Sequence, residues 1–145
     1  MSAFRYKARL EWSDEDGEFL VTFPDVPEAI TAGATEAEAL EMAADALEVA
    51  LAGRMKDGED LPVPAPHRGE GLHEVTISPL LAAKLAVYAR WRETGISKIE
   101  LARRIGVQEA EVRRILDPHH ATKIERLDEA MRAMGRRLVI DVEAA

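Results

Sequence analysis

The hydrophobic pattern changes period along the chain, and this change constrains the fold more than any other feature. The first apolar run alternates with charged or polar residues and comprises Phe4, Tyr6, Ala8, Leu10 and Trp12. A period of two is typical of a half-buried strand. A second alternating run at 19–23 follows a polar turn and predicts a hairpin. Because most later apolar residues have helical spacing, the chain is predicted to combine a small sheet with helices in an α+β fold.

A third strand at 30–34 and then a long helix are predicted to follow the hairpin. Thr35 with Glu38 three residues on forms a capping box, which marks a helix start. The helix is expected to end near Lys56, because glycine and charge follow. The residues predicted to form its core face are Leu40, Ala43, Ala44, Leu47 and Leu51.

The chain after this helix is expected to be extended. Residues 57–71 are rich in Gly, Pro and charge, which is typical of a connection. Val75 with Ile77 then fits a fourth strand. The first predicted domain, residues 1–77, therefore has the order β-β-β-α-β.

Residues 78–145 are predicted to form a second, all-α domain. Ser78 and Pro79 supply an N-cap and a first-turn proline for a helix that ends at Gly95. This helix is expected to face the core with these four residues or with their neighbours: Leu81, Leu85, Tyr88 and Trp91.

Two short helices joined by a glycine turn are predicted next. The first, Lys98–Ile105, opens at a capping box of Ser97 and Glu100 and stops at Gly106, and the second covers about 108–116. A short turn that contains glycine crosses two helices steeply. The pattern is similar to that of Cro- and repressor-like helix-turn-helix domains at four positions: Ala102, Gly106, Val112 and Ile115.

The last part of the chain is predicted to hold one more helix and a strand. Thr122 with Glu125 is expected to open the helix, and Gly135 to end it. Its predicted core residues are Ile124, Leu127, Met131 and Met134. A closing strand is predicted from the alternation of Leu138, Ile140 and Val142.

The second of the two short helices would then read DNA with the face opposite its core. On that face Arg113 and Arg114 are expected to reach guanine edges or phosphates, and Gln108 an adenine or a phosphate. The backbone contacts are assigned to Lys98, Arg103, Arg104 and Lys123. The full predicted DNA-binding set is Lys98, Arg103, Gln108, Glu109, Ala110, Arg113, Arg114 and Lys123. The alternative is a plain helical bundle with a solvated surface, since Glu109 and Glu111 repel phosphate.

Charge divides the chain at the same place as the fold. Residues 1–73 hold 6 Lys+Arg and 16 Asp+Glu, a net charge of −10, whereas residues 74–145 hold 13 and 11, a net charge of +2. This asymmetry indicates two modules with different partners. The chain has no cysteine, no signal-peptide pattern and no apolar run of membrane-spanning length, so a cytoplasmic protein is expected.

Residues 6–66 resemble the HicB antitoxin family. The stretches that carry the resemblance are Asp16-Gly17 before Phe19, Phe23-Pro24-Asp25-Val26-Pro27, Gly33-Ala34-Thr35, Ala39-Leu40 and Leu61-Pro62-Val63-Pro64. Ala34 departs from the acidic residue usual before the threonine. The resemblance implies a partial ribonuclease-H-like fold that binds HicA, a small basic RNA-cleaving toxin. The resemblance also implies that the protein represses its own operon. Members of the family do so through a C-terminal helix-turn-helix or ribbon-helix-helix, and this chain would have a helix-turn-helix.

The acidic character of the first domain suits a basic toxin, because opposite charge speeds association. A stripe on the outer face of the long helix is the candidate toxin-binding site: Glu38, Glu41, Asp45 and Glu48. A merely solvated helix face is the alternative for this stripe.

Two other functions are alternatives to a toxin-binding repressor. A stand-alone DNA-binding regulator would use the first domain for oligomerisation or sensing. A metal-dependent nuclease would need clustered carboxylates, for which the candidates are Asp14, Asp16, Asp25 and Glu38. Two of these lie in a hairpin turn, where acids are common, and the four histidines give no metal-ligating pattern: His67, His73, His119 and His120. No enzyme activity, metal or cofactor is therefore expected. Self-association into a homodimer or a higher homo-oligomer is expected, because helix-turn-helix proteins bind paired half-sites.

Overall fold

The computed structural model describes residues 4–145 and separates the chain into two compact units, one ending at Ala82 and the other spanning Ala83–Ala145. The elements are β1 (Arg5–Ser13), β2 (Glu18–Thr22), β3 (Ile30–Gly33), α1 (Glu36–Lys56), β4 (Leu72–Thr76), α2 (Pro79–Thr94), α3 (Lys98–Ile105), α4 (Glu109–Ile115) and α5 (Ile124–Ala133). The α+β class is confirmed, as is the order β-β-β-α-β of the first unit. The functional domain division at residue 77 stays a prediction.

A four-stranded antiparallel sheet in the order β3-β2-β1-β4 forms the first unit. The predicted hairpin pairs Leu10 with Val21 and Trp12 with Phe19, whose rings meet edge to face at 5.0 Å. Alternate residues of the strands point to α1 and are buried: Tyr6, Ala8, Leu10, Val21 and Val75. The sheet and α1 bury each other, as the period-two pattern requires.

Helix α1 begins as the capping box predicts, with one difference. Thr35 is the N-cap, and its hydroxyl accepts a hydrogen bond from the Glu38 N–H at 3.1 Å. The Glu38 carboxylate, however, accepts from the N–H of Ala34 rather than from that of Thr35. The buried face is also rotated slightly, because Ala39 and Met55 are buried while Leu40 and Ala44 are half-buried.

Gly33 allows β3 to enter α1 at close range. A Cβ atom at this position would overlap the backbone of Ala39 in the first turn of the helix. The glycine is therefore required by the close approach of two backbone segments.

The proline-rich connection is held against the first unit by specific contacts. The Tyr6 hydroxyl donates to the Pro62 carbonyl at 2.7 Å. Asp25 accepts from the Ala65 N–H at 3.0 Å and pairs with the His67 ring at 2.8 Å. The extended chain predicted at 57–71 is thus docked at both its middle and its end.

The second unit is all-helical, as predicted. Its core is built from the inner faces of α2 to α5: Leu85, Val87, Tyr88, Leu101, Ala102, Val112, Ile115, Leu127, Ala130, Met131 and Met134. Leu81 and Trp91, predicted to face the core, are half-buried. Ile124, also predicted as core, is half-buried as well.

Two expectations for the end of the chain are wrong. No strand forms at 138–142, because no neighbouring strand among residues 4–145 offers hydrogen bonds to it. Thr122 does not cap α5, since Lys123 is the N-cap residue and the buried Thr122 hydroxyl has no partner among the described residues. Lys123 is still extended, with ψ of 141°, so α5 begins at Ile124, one position later than the capping pattern predicts.

Candidate nucleic-acid interface and acidic helix face

The turn between α3 and α4 has the geometry that the glycine predicts. Gly106 adopts a left-handed conformation with φ of 81°, and its N–H bonds to the Ala102 carbonyl at 2.9 Å. The Val107 N–H bonds to the same carbonyl at 3.0 Å. These two bonds end α3 and redirect the chain, so that α4 starts three residues later.

The contact between α3 and α4 is apolar and tightly closed. Leu101, Val112 and Ile115 are fully buried, and Ala102 is nearly so. The small side chain at Ala102 lets the two helices approach closely. The four positions of the helix-turn-helix pattern therefore occupy the turn and the buried contact, as their spacing predicts.

The outward face of α4 carries the two arginines that were predicted to read DNA. Arg113 and Arg114 are exposed and Ala110 is half-buried, on the side opposite Val112 and Ile115. Arg114 forms a 3.3 Å ion pair with Glu111, whereas Arg113 has no salt-bridge partner among the described residues. Small and basic side chains thus share one open surface.

The arginines at the end of α3 are already paired with an acid. Glu100 accepts from Arg103 at 2.6 Å and from Arg104 at 3.1 Å. Hydrogen bonds from these two guanidinium groups lower the pKa of Glu100 to about 2. The carboxylate therefore stays ionised and holds both arginines on one side of α3.

The remaining predicted DNA contacts lie at helix ends. Lys98 starts α3 and places its ammonium 5.8 Å from the centre of the Trp91 ring. Gln108 and Lys123 are the exposed N-cap residues of α4 and α5, and neither side chain makes a capping hydrogen bond. Glu109 is half-buried in the first turn of α4.

Lys84 is a residue that the sequence interpretation missed. This lysine of α2 is only 1% exposed, and its ammonium donates hydrogen bonds to the carbonyl oxygens of Arg114, Ile115 and Asp117 at 2.9, 3.1 and 2.8 Å. The helical spacing of α2 places Lys84 among apolar neighbours. A lysine in such a position needs a buried partner, and this was the signal available in the sequence. The last turn of α4 is thereby held by α2.

The acidic stripe on α1 divides into engaged and open members. Glu38 accepts from the Ala34 N–H, and Glu48 accepts from the Ser78 N–H at 2.7 Å. Glu41 and Asp45 are exposed and have no hydrogen-bond or ion-pair partner among the described residues. The open carboxylates are therefore the middle pair.

Apolar side chains accompany those two carboxylates. Met42 and Val49 lie on the same outer face of α1, at helical spacing from Asp45, and Val49 is 75% exposed. Exposed apolar residues bordered by charge are characteristic of surfaces that bind another protein. The sequence interpretation named only the acids of this face.

The carboxylates proposed for metal-dependent cleavage do not assemble. Each is bonded to its own local donor: Asp14 to Trp12, Asp16 to Ser13, Asp25 to Ala65 and His67, and Glu38 to Ala34. Within residues 4–145 no three acidic or histidine side chains are grouped as metal ligands. His119 and His120 are exposed after α4 and bond through their backbone to Asp117.

Known proteins match both the first unit and nearly the whole chain. Residues 5–86 match the model of a family described as the HicB-like antitoxin of bacterial toxin–antitoxin systems. The chain belongs to the HicB antitoxin family. It is 41% identical to Antitoxin HicB 1 of Photorhabdus laumondii over 96% of this chain and 87% of that protein. It is 38% identical to Antitoxin HicB of Escherichia coli K12 over 92% and 96%.

A more distant likeness involves a solved structure. A chain of a toxin–antitoxin complex from Streptococcus pneumoniae matches 76% of this chain and 93% of its own length, with a TM-score of 0.46 and 17% identity.

Family membership also bears on enzyme activity. The curated relatives are antitoxins, which agrees with the prediction that this HicB-family chain is not an enzyme. Among the described residues, no helix has both the length and the apolarity that crossing a membrane requires.

Proposed function

We propose that this HicB-family antitoxin neutralises a small, basic, HicA-like RNA-cleaving toxin through the outer face of α1 and represses its own operon through α3 and α4. The observation that carries the proposal is a pair of open faces, one suited to a basic protein and the other to DNA. One presents Glu41 and Asp45 beside exposed apolar side chains, and the other presents Arg113 and Arg114. The proposed location is the bacterial cytoplasm, where operator DNA lies.

Charge and exposed apolar area support the toxin-binding part. An RNA-binding toxin carries a basic surface, and the acidic first unit attracts it at long range. Met42 and Val49 supply apolar contact that an acidic surface alone would lack. Glu41 and Asp45 can then pair with lysine or arginine of the toxin around that contact.

The toxin-binding face is tested by reversing its charge. The double variant Glu41→Lys, Asp45→Lys should weaken binding to a purified HicA-like toxin by about tenfold or more, measured by calorimetry. The control makes the same charge change in the hairpin region with Glu15→Lys, Glu18→Lys and should bind normally. Unchanged affinity of the α1 variant would exclude this face, and operator binding without any toxin binding would favour a stand-alone regulator.

The exposed arginines of α4 support the DNA-binding part. Arg113 and Arg114 stand on the face opposite the helix core, next to the small Ala110, which leaves room for a base edge. Arg103, Lys98 and Lys123 lie at the ends of neighbouring helices, where phosphate contacts are common. Glu109 and Glu111 lower the affinity of a single copy, so that two copies are needed for tight binding.

The DNA-binding part is tested with a duplex from the promoter of the chain's own gene. Arg114→Ala should lower operator affinity by about tenfold and reduce the slope of log affinity against log salt by roughly 1 if the side chain contacts a phosphate. Arg68→Ala, an exposed arginine of the first unit, is the control and should bind normally. Weak affinity that Arg114→Ala leaves unchanged would exclude this assignment.

A homodimer is the proposed DNA-binding form, and the C-terminal segment supports it. Val139, Ile140 and Val142 are 78%, 74% and 88% exposed and lie outside the helices and strands of residues 4–145. Antiparallel pairing of two copies about Val139 would set Arg137 of each opposite Asp141 of the other. Parallel pairing would set like charges together, so the segment favours a two-fold dimer.

A further inference from the structure

A buried lysine controls the last turn of the helix that is proposed to read DNA. Lys84 is 1% exposed, and its three N–H groups meet three carbonyl oxygens at 2.8 to 3.1 Å. Two of these carbonyls, on Arg114 and Ile115, belong to the last turn of α4, and the third, on Asp117, lies just beyond it. The last carbonyls of a helix have no partner within the helix, so a charged donor there is strongly bound.

Helix α4 depends on such an external support because it is short. It has seven residues, and Gln108 at its N-cap makes no side-chain hydrogen bond. Isolated helices of this length are unstable in water. Apolar contact through Val112 and Ile115 fixes which face is buried, but contacts of this kind are non-directional. The three bonds from Lys84 are directional and define where the end of α4 lies.

The ends of α4 and α5 are both supported from α2. Arg90, on the same helix as Lys84, donates from Nε to the Met134 carbonyl at 2.9 Å at the end of α5. Arg104 of α3 also bonds near that end, to the Ala133 carbonyl at 3.2 Å. The end of α5 therefore has two cationic donors, whereas the end of α4 has the Lys84 ammonium together with a backbone bond from the Asp117 N–H to the Arg114 carbonyl at 3.2 Å.

We propose that Lys84 is a positioning residue for DNA recognition, which sets the orientation of α4 and thereby of Arg113 and Arg114. It touches no DNA itself. The proposal rests on the proposed operator binding by α3 and α4. It predicts that operator affinity depends on a side chain that is buried and lies outside both recognition helices.

The protonation of Lys84 gives this role a measurable signature. Burial lowers the pKa of the lysine to about 8, although Asp117 and Glu111 act in the opposite direction. These two acids are the charged groups that act on it from α4 and the turn after it. When the ammonium loses a proton, two N–H groups remain for three carbonyls. One of the three carbonyls then loses its bond from Lys84.

The experiment compares Lys84→Met and Lys84→Arg in the full chain, with Lys56→Met as the matched control at an exposed lysine of α1. The probes are the promoter duplex and a scrambled duplex of equal length, and binding to each is measured by fluorescence anisotropy at pH 7. Lys84→Met should lose about tenfold in operator affinity and much less in affinity for the scrambled duplex. Lys84→Arg should regain most of the loss, and Lys56→Met should match the unaltered chain.

A pH series separates positioning from a merely structural role. The operator affinity of the unaltered chain should fall between pH 7 and 9.5 with a midpoint near 8. Lys84→Arg should show no such fall, because guanidinium does not titrate in this range. This comparison stands even if Lys84→Met fails to fold, as judged by circular dichroism.

Three outcomes would overturn the proposal. The first is a folded Lys84→Met chain with unchanged operator affinity, and the second is the same pH profile for the unaltered chain and Lys84→Arg. In both cases operator binding itself persists, so the proposed function stands while the role of Lys84 fails. The third is an unaltered chain that does not distinguish the operator from the scrambled duplex, which overturns the DNA-binding function and with it the role of Lys84.

Discussion

Glu48 on the outer face of α1 accepts a 2.7 Å hydrogen bond from the backbone N–H of Ser78, the residue before α2. One end of the acidic stripe is thus used inside the protein. The first N–H groups of a helix and of the residue before it lack partners within the helix, and a carboxylate is a strong acceptor for them. The stripe therefore serves the fold at its ends and is open to a partner in its middle.

Replacing Glu48 should lower stability, whereas replacing its open neighbour should not. Glu48→Ala removes the acceptor for the Ser78 N–H and should reduce the free energy of unfolding by about 1 kcal/mol. Glu41→Ala should change it by less than about 0.5 kcal/mol, as is usual for an exposed side chain. Urea unfolding followed by circular dichroism measures both, and equal effects would contradict the distinction between them.

Two glycine substitutions should have opposite effects. Gly33→Ala places a Cβ on the backbone of Ala39 and should destabilise the protein by about 3 kcal/mol, because neither backbone segment can yield easily. Gly53 lies within α1, and the Cβ added by Gly53→Ala would meet nothing within 4 Å. It should stabilise by roughly 0.5–1 kcal/mol. Thermal unfolding of the two variants checks both signs, and a well-tolerated Gly33→Ala would refute the close approach.

The Asp25–His67 contact should make part of the stability sensitive to acid. Partial burial raises the pKa of Asp25, but hydrogen bonds from the Ala65 N–H and from His67 outweigh it and hold the pKa below its ordinary value of 3.8. The stabilisation is therefore complete above about pH 5, where the unfolded carboxyl is also ionised, and is lost as pH falls through the lowered pKa. Asp25→Asn should cost about 1 kcal/mol at neutral pH and progressively less below about pH 5.

The control for this pH dependence is Asp45→Asn. Asp45 is exposed and has no partner among the described residues. Its replacement should leave the unfolding free energy nearly unchanged from pH 2 to 7. An Asp25→Asn difference that does not shrink in acid would show that the carboxylate charge contributes nothing.

Releasing the arginines of α3 should increase non-specific DNA binding. Glu100→Gln removes the charge that pairs with Arg103 and Arg104. Affinity for a scrambled duplex should rise about threefold, with a steeper salt dependence as more phosphates are contacted. Glu125→Gln makes the same net-charge change at an exposed residue of α5 that has no hydrogen-bond or ion-pair partner among the described residues, and it should give a smaller rise. Equal rises would mean that net charge alone is responsible.

Charging the exposed C-terminal segment should separate the proposed dimer. The double variant Ile140→Lys, Val142→Lys replaces apolar side chains that are open in the single chain and would be covered in a strand pair. Sedimentation should show a monomer, and operator affinity should fall because two linked half-sites bind more tightly than one. Val63→Lys, at another exposed valine, should leave the association state unchanged. A dimer that survives the double variant would place the interface elsewhere.

Local patterns in the sequence predicted most of the elements correctly. Alternation between Phe4 and Trp12 identified the first strand, the pair Ser97 and Glu100 the start of α3, and Gly106 its end. Each of these signals acts over a few residues, through the strand period, a capping hydrogen bond or a left-handed backbone. The same reasoning failed for Thr122, whose hydroxyl is buried instead of capping α5.

What the sequence determined by itself was the division into a sheet-forming acidic half and a helical half with a helix-turn-helix pattern. Those properties follow from periodicity, charge and short-range backbone preferences. The tertiary structure was needed to show that Lys84 is bound to the end of α4, that Glu48 is engaged while Glu41 is open, and that the segment 138–142 has no partner strand among residues 4–145. Each of these depends on groups far apart in the chain or on a strand partner, and local patterns do not specify such contacts.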